Sequence, residues 1–255
     1  MSSDSLSDYA AFAAELADAA RAAIAVASRD ADDKGGGAFD PVTEADRAAE
    51  RAMRALIGAR YPDHGIAGEE YGVVRGDARF VWSLDPIDGT RSFICGLPSW
   101  TTLIALVEEG AATVGLIDAP ALDERYSGFG RMARLNGEAL ATSGCATLAE
   151  ARFSTTDPYL FAGAEAEGFE RLRRATRVAR YGLDAYAYAR VAAGGLDLVV
   201  ESGLKPHDYN ALGPVVRGAG GFFGNWEGGD DLSAGRVVAA ASERLFEDAV
   251  ALLQD

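Results

Sequence analysis

Leu84-Asp85-Pro86-Ile87-Asp88-Gly89-Thr90-Arg91-Ser92 constrains this chain more than any other stretch. It follows an apolar run, Phe80-Val81-Trp82-Ser83-Leu84, that reads as a buried strand ending at the motif. Two carboxylates three residues apart at a strand end can aim at one point. Pro86 fixes a turn between them, and Gly89 permits a tight backbone path. Gly89-Thr90 then opens a helix whose N–H groups suit an anion. Carboxylates that face an anion-binding turn require cations between them. The local reading is a divalent-metal site that handles phosphate.

Composition narrows the classes. The chain is 49% hydrophobic and 25% charged, normal for a globular protein with a core. Its apolar runs are too short to span a bilayer. Its first residues lack a basic stretch followed by an apolar one, so no secretory signal is expected. Cys95 and Cys145 are the only cysteines, which suits free thiols in a reducing cytoplasm. The formal net charge is −15, so nucleic acid and anionic lipid are repelled. A phosphorylated metabolite is repelled too, which again calls for bound cations.

Leu6 to Ser28 carries Phe12, Leu16, Ala19 and Ile24 at helical spacing. Asp30 to Gly37 reads as a charged, Gly-rich loop; Gly35-Gly36-Gly37 is no dinucleotide fingerprint, because no strand precedes it. Thr43-Glu44-Ala45-Asp46 resembles a capping box with Asp in place of Glu, opening a helix to about Arg60. Thr101–Val107 and Ala112–Ile117 predict a hairpin across Glu108-Glu109-Gly110. Short strand-like pieces follow over Ala121–Ala133, and Asn136–Thr147 is the best linker. Beyond it, strands at Ala151–Thr155, Leu196–Val200 and Val237–Ala241 alternate with helices at Ala164–Thr176, Ala185–Ala193, Asp208–Gly218 and Ser242–Leu253. That alternation indicates an α/β layer. The arginines of Arg171–Arg180 read as the solvated face of a helix.

Four acidic points stand at strand ends or helix starts: Asp46, Glu69, the Asp85/Asp88 pair and Asp208. Each alone has an ordinary explanation. Asp208 would be an N-cap and Asp46 a first-turn acid; Glu69 and Glu70 would be a solvated loop. Asp85-Pro86-Ile87-Asp88-Gly89 would be a common turn. Asp85, however, directly follows a buried strand, and a carboxylate there needs a partner or a metal. Oxygen ligands without nearby Cys or His suit Mg²⁺ or Mn²⁺ rather than zinc.

Taken together, Asp40-Pro41-Val42-Thr43-Glu44-Ala45-Asp46, Gly68-Glu69-Glu70, Asp85-Pro86-Ile87-Asp88-Gly89-Thr90 and His207-Asp208 before Gly218-Ala219-Gly220-Gly221 resemble the inositol monophosphatase superfamily. The resemblance covers nearly the whole chain, with the four motifs in order. It implies metal-dependent hydrolysis of a phosphate monoester. Glu69, Asp85 and the Ile87 carbonyl would hold one Mg²⁺, and Asp85, Asp88 and Asp208 a second. A third ion would share Glu69, which counts with Thr90 and Asp46 among the catalytic groups. Thr90, supported by Asp46, would orient or deprotonate the attacking water. The N–H groups of Gly89 and Thr90 would cradle the phosphate.

Arg91-Ser92, Asp184-Ala185-Tyr186 and Leu204-Lys205-Pro206-His207-Asp208-Tyr209 look like the histidinol-phosphatase branch. Asp184 and Glu201 could bind cationic or N–H donor groups of such a substrate. Glu201 would serve inositol hydroxyls as well, Asp184 could cap a helix, and Arg91 could touch phosphate or a surface carboxylate. An inositol, sugar or nucleotide phosphatase is the alternative within the superfamily, and a metal-binding regulator the alternative outside it. The expected fold is α/β in αβαβα layers. An α+β half over 1–140 would carry most metal ligands, and an α/β half over 141–255 would complete the site. The resemblance also implies a homodimer.

Overall fold

The Ala-rich N-terminal segment forms α1 (Ser3–Val26), burying Phe12, Ala13, Leu16, Ala20 and Ile24 along one stripe. The computed structural model describes residues 3–28, 30–33 and 41–254. Asp40 and Gly35-Gly36-Gly37 lie outside them. Within the expected Asp30–Gly37 loop, β1 (Ala31–Asp33) pairs antiparallel with β2 (Pro41–Thr43). Next comes α2 (Glu44–Arg60), and its start is a true capping box. Thr43 Oγ1 accepts from the Ala45 and Asp46 amides, while Asp46 Oδ2 accepts from the Thr43 amide at 2.8 Å. Aspartate reaches back as glutamate would.

An eight-stranded sheet follows. It contains β3 (Gly65–Gly68), β4 (Gly72–Val74), β5 (Phe80–Asp88), β6 (Thr101–Glu108), β7 (Ala111–Ala119), β8 (Glu124–Phe129), β9 (Met132–Leu135) and β10 (Glu138–Ala139). Their spatial order is β10-β9-β8-β7-β6-β5-β3-β4, and only β3 and β5 run parallel. The β6–β7 hairpin turns at Glu109 and Gly110, both at positive φ, as a right-twisted two-residue turn requires. A short helix, α3 (Thr90–Ile94), leaves the end of β5.

A second sheet has the order β12-β11-β13-β15-β14. Its strands are β11 (Arg152–Thr155), β12 (Val178–Tyr181), β13 (Leu198–Glu201), β14 (Phe222–Gly224) and β15 (Val237–Ala240). Its helices are α4 (Ala164–Ala175), α5 (Tyr186–Ala192), α6 (Pro206–Tyr209), α7 (Leu212–Gly218) and α8 (Glu243–Gln254). α1 and α2 cover the outer face of the first sheet through Phe12, Met53 and Trp82. α5 and α7 lie between the sheets, joining Leu103 and Ile117 to Val199 and Ala239. α4 and α8 cover the far side of the second sheet through Phe153, Leu172 and Leu245. The result is the expected αβαβα stack.

Several local expectations change. β5 does not stop at Asp85 but continues to Asp88 through a register shift against β6. Pro86 therefore sits in a bulge, where its missing N–H breaks no ladder bond. The helix expected over Asp208–Gly218 is two helices. Pro214 cannot donate to the Asn210 carbonyl and clashes with it, so the chain breaks there. Arg180 lies on β12 at the edge of the second sheet and Arg177 in the bend before it, not on a helix, because α4 ends at Ala175. Part of the expected linker, Glu138–Ala139, pairs with β9.

α7 reaches the first sheet across glycines. A Cβ on Gly115 would come within 2.1 Å of the Ala211 carbonyl oxygen, and one on Gly128 within 2.3 Å of Pro214 O. Gly58, on α2, faces open space. Gly128→Ala should therefore destabilise the protein by about 1–3 kcal/mol. Gly58→Ala should stabilise it by about 0.5–1 kcal/mol through helix propensity. Urea unfolding of both variants checks this; equal stabilities would mean that α7 does not rest on β8.

Candidate active site

The parallel pairing of β3 and β5 places the first two acids together. Gly68 lies opposite Leu84, so Glu69, just past the end of β3, stands beside Asp85 on β5. The Glu69 amide donates to Leu84 O at 3.1 Å. Glu50, fully buried on α2, holds the following turn by accepting from the Glu70 and Tyr71 amides at 2.8 and 3.1 Å. Sequence reading passes over Glu50, although an acid on the stripe shared with Ala49, Met53 and Ile57 is the signal that could have found it.

α6 brings the next acid from the second half of the chain. Asn210 Nδ2 donates to Ser83 Oγ on β5 at 3.1 Å, fastening α6 there. Asp208 is not the N-cap expected for it: Lys205 holds that place, and Asp208, at the third position of α6, reaches back so that its Oδ2 accepts from the Lys205 amide at 2.6 Å. Capping leaves Oδ1, which lies 3.5 Å from His207 Nε2. Asp85, Asp88 and Asp208 each offer an oxygen, and these oxygens lie within 4.8 Å of one another. Asp88 is steadied by the Ala185 amide at 2.8 Å and Thr101 Oγ1 at 3.3 Å, both onto Oδ2.

Asp85 is 2% exposed, and its Oδ1 has no hydrogen-bond partner among the described residues. Burial raises its carboxyl well above the usual range, and the Glu69, Asp88 and Asp208 carboxylates raise it further. Burial likewise raises Asp88, with Asp184 and Asp208 adding to it. Asp208 is raised by burial, against the opposing pull of His207 and the Lys205 amide. Such a group of buried like charges is stable when a cation lies among them. The donors are oxygens only, so the residues present fit a hard divalent ion.

Gly89 follows in the left-handed region at φ 78°, and α3 begins beyond it. Thr90 Oγ1 donates to the Ile87 carbonyl at 3.1 Å. Asp46 accepts from Thr43, whose hydroxyl lies 2.6 Å from its Oδ2. Both hydrogen bonds onto Asp46 Oδ2, from an amide and from a hydroxyl, come from Thr43, the capping-box partner. Burial pushes Asp46 up to about 6, against the Thr43 hydrogen bonds. Ser92 is buried and donates to Asp184 Oδ2 at 3.4 Å. Arg91 is near enough to pull the Asp184 carboxyl down, while burial raises it.

A cavity of about 180 Å³ opens in front of these groups, lined by Asp88, Thr156, Asp157, Asp184, Glu201 and Asp208 among others. A Cβ on Gly89 would meet Asp184 Oδ2 at 2.8 Å, so Asp184 packs against the motif itself. Glu201, at the end of β13, accepts from the Thr156 amide at 2.9 Å and from the Thr156 hydroxyl. Burial nevertheless raises it to about 8. Thr156 and Asp157 carry no local sequence signal; only the parallel pairing of β11 with β13 brings them here.

The chain matches the inositol monophosphatase family over residues 5–255. It belongs to that family. It is 44% identical over 228 residues to the bifunctional phosphatase IMPL2, chloroplastic, of Arabidopsis thaliana, covering 85% of this chain and 66% of that relative. It is 35% identical over 215 residues to a histidinol-phosphatase of Chlorobaculum parvum, covering 84% and 83% of the two chains. A solved inositol monophosphatase from Zymomonas mobilis superposes with a TM-score of 0.88 at 40% identity, covering 100% of each chain. This inositol monophosphatase family member is a metal-dependent phosphatase for small phosphorylated substrates. No described helix is long and apolar enough to cross a membrane. Cys95 and Cys145 are free thiols.

The carboxylates make stability depend on pH in a defined direction. Asp85, Asp88, Asp184, Asp208 and Glu201 are all raised, so the native state holds protons more tightly than the unfolded chain. The contribution of these groups to the stability of the metal-free protein is then fully present below the unfolded carboxylate range, about pH 4, and is lost as pH rises toward 8. After chelation, the melting temperature should drop by more than about 5 °C between pH 5 and 8. Added Mg²⁺ should restore it chiefly at pH 8. A melting temperature that rises over this range would contradict the assignment of these shifts.

Proposed function

We propose that this chain is a Mg²⁺-dependent histidinol-phosphate phosphatase, releasing L-histidinol and inorganic phosphate. The observation that carries this reading is the second set of carboxylates. Asp157, Asp184 and Glu201 line the same cavity as Asp88 and Asp208. Acids beyond the metal cluster suit a leaving group that is itself cationic and rich in N–H donors. Histidinol supplies an ammonium and an imidazole. The relative named histidinol-phosphatase supports the same reading.

In this reading Glu69, Asp85 and the Ile87 carbonyl would hold one ion, and Asp85, Asp88 and Asp208 a second. A third would share Glu69, and Mn²⁺ could substitute. When bound, such ions activate water and stabilise the leaving oxygen. The chain's own groups do the rest. The first-turn N–H groups of α3, at Gly89 and Thr90, have no partner within the helix and would cradle the phosphate. Thr90 Oγ1 would orient the attacking water. Asp46, raised to about 6, would accept a proton near neutral pH. Attack forms one P–O bond and breaks the ester P–O bond; a proton then reaches the departing alkoxide. Ser92 and Arg91 would hold Asp184 toward the substrate. The free thiols suit a reducing, cytoplasmic setting. A working homodimer is part of the same reading.

A second reading is inositol 1-phosphate hydrolysis, since Glu201 would accept hydroxyl donors equally well. The similarity to the Zymomonas mobilis inositol monophosphatase favours it. Steady-state phosphate release with Mg²⁺ separates the two. A charge-assisted contact is worth about 1.5–3 kcal/mol, so kcat/KM should favour histidinol phosphate by about tenfold or more. Equal or reversed values would overturn the substrate assignment. Thr90→Ala should lower kcat by about 10²–10³-fold on either substrate without lowering the melting temperature. Unchanged kcat would remove Thr90 from the chemistry.

A further inference from the structure

Tyr188 lies on α5, inside the core between the two sheets. Its ring is fully buried and meets Phe223 edge-on at a centroid distance of 6.1 Å. A phenylalanine would fill that space. The hydroxyl is what needs explaining, because it is buried without a hydrogen-bond partner. Asp85 Oδ1 is the other such side-chain oxygen among the described residues. An enclosed hydroxyl that makes no bond weakens a core.

Val199 shares the middle core with Tyr188, whereas Leu198 and Val200 face the far core, so strand alternation puts Glu201, at the end of β13, on the face toward α5. Glu201 and Asp88 also add to the burial that holds the phenol well above its usual range. Glu201 gives its Oε1 to the Thr156 amide and hydroxyl. Its Oε2 therefore remains for a second donor and for whatever enters the cavity. One turn earlier on the same helix segment, the Ala185 amide holds Asp88 Oδ2. The start of α5 thus serves both the metal side and the far wall of the cavity. The phenol is too enclosed to reach a substrate directly, and phenol–carboxylate bonds are short and directional.

We propose that Tyr188 is a positioning residue: its hydroxyl donates to Glu201 and fixes that carboxylate toward the non-phosphate part of the substrate. This rests on the reading of Glu201 as a substrate-facing group, and it holds for a cationic or a polyhydroxyl leaving group alike. The bond forms as Glu201 turns its free oxygen to the entering donor. It orients the carboxylate without taking part in P–O cleavage.

The test uses Tyr188→Phe, Glu201→Gln and the double variant of the full chain, with Mg²⁺ and whichever of histidinol phosphate and inositol 1-phosphate the wild type turns over faster. Tyr188→Phe should raise KM by about 5–10-fold and change kcat by less than about twofold, the loss of one hydrogen bond to a charged group. Its melting temperature should equal or exceed that of the wild type, since the deleted hydroxyl had no partner. Glu201→Gln should raise KM as well, and the double variant should be no worse than Glu201→Gln alone. If Glu201→Gln raises KM and Tyr188→Phe does not, the proposal fails while Glu201 keeps its place. Independent, multiplying effects in the double variant, or a lower melting temperature for Tyr188→Phe, assign the hydroxyl to packing and overturn it. An unchanged KM for Glu201→Gln overturns the substrate-facing reading, and the role of Tyr188 with it.

Discussion

A carboxylate buried within a strand, just before its bulge, with one oxygen unpaired, governs the rest of this structure. Asp85 stands where Glu69, Asp88 and Asp208 converge, and burial strengthens the repulsion among them. Such an arrangement opposes folding unless cations compensate. The fold accepts it because the surrounding layers fix each acid separately. Parallel pairing of β3 with β5 sets Glu69 beside Asp85. The Asn210–Ser83 hydrogen bond brings α6 to β5.

The middle helix layer links the two ends of the site. α7 rests on the first sheet where glycines allow its backbone to approach closely. α5 touches both sheets and ties Asp88 through Ala185. The acidic cluster and the Glu201 wall are therefore tied to elements of one core, which holds the spacing between them. Glu50 provides the same kind of support on the other flank, locking the Glu70–Tyr71 turn from within α2.

What the sequence made legible was mostly local. The capping box at Thr43, the β6–β7 hairpin and the acidic motif each lie within a few residues, so spacing alone suggests them. The αβαβα layering followed from alternating strands and helices and from the family resemblance. Non-local features were not legible. Thr156 meets Glu201 only through strand pairing, and Tyr188 reads as one more core aromatic until the carboxylates in front of it are seen. The bulge at Pro86 and the break before Pro214 had a visible cause in proline's missing N–H. Pro86 reads as a turn that ends the strand, whereas the strand passes through it as a bulge; at Pro214 the helical pattern carries across the break. The Thr43 cap on Asp46 Oδ2 was legible in the capping-box spacing.

The central claim is that Asp85 is buried for a cation. Calorimetric titration of Mg²⁺ into wild-type protein and Asp85→Asn tests it most directly. The account predicts that Asp85→Asn loses at least about 100-fold in affinity, more than removal of a supporting residue around a metal site costs. It also predicts that the variant, freed of one buried like charge, melts no lower than the metal-free wild type. Equal Mg²⁺ affinity in the two proteins would contradict the account.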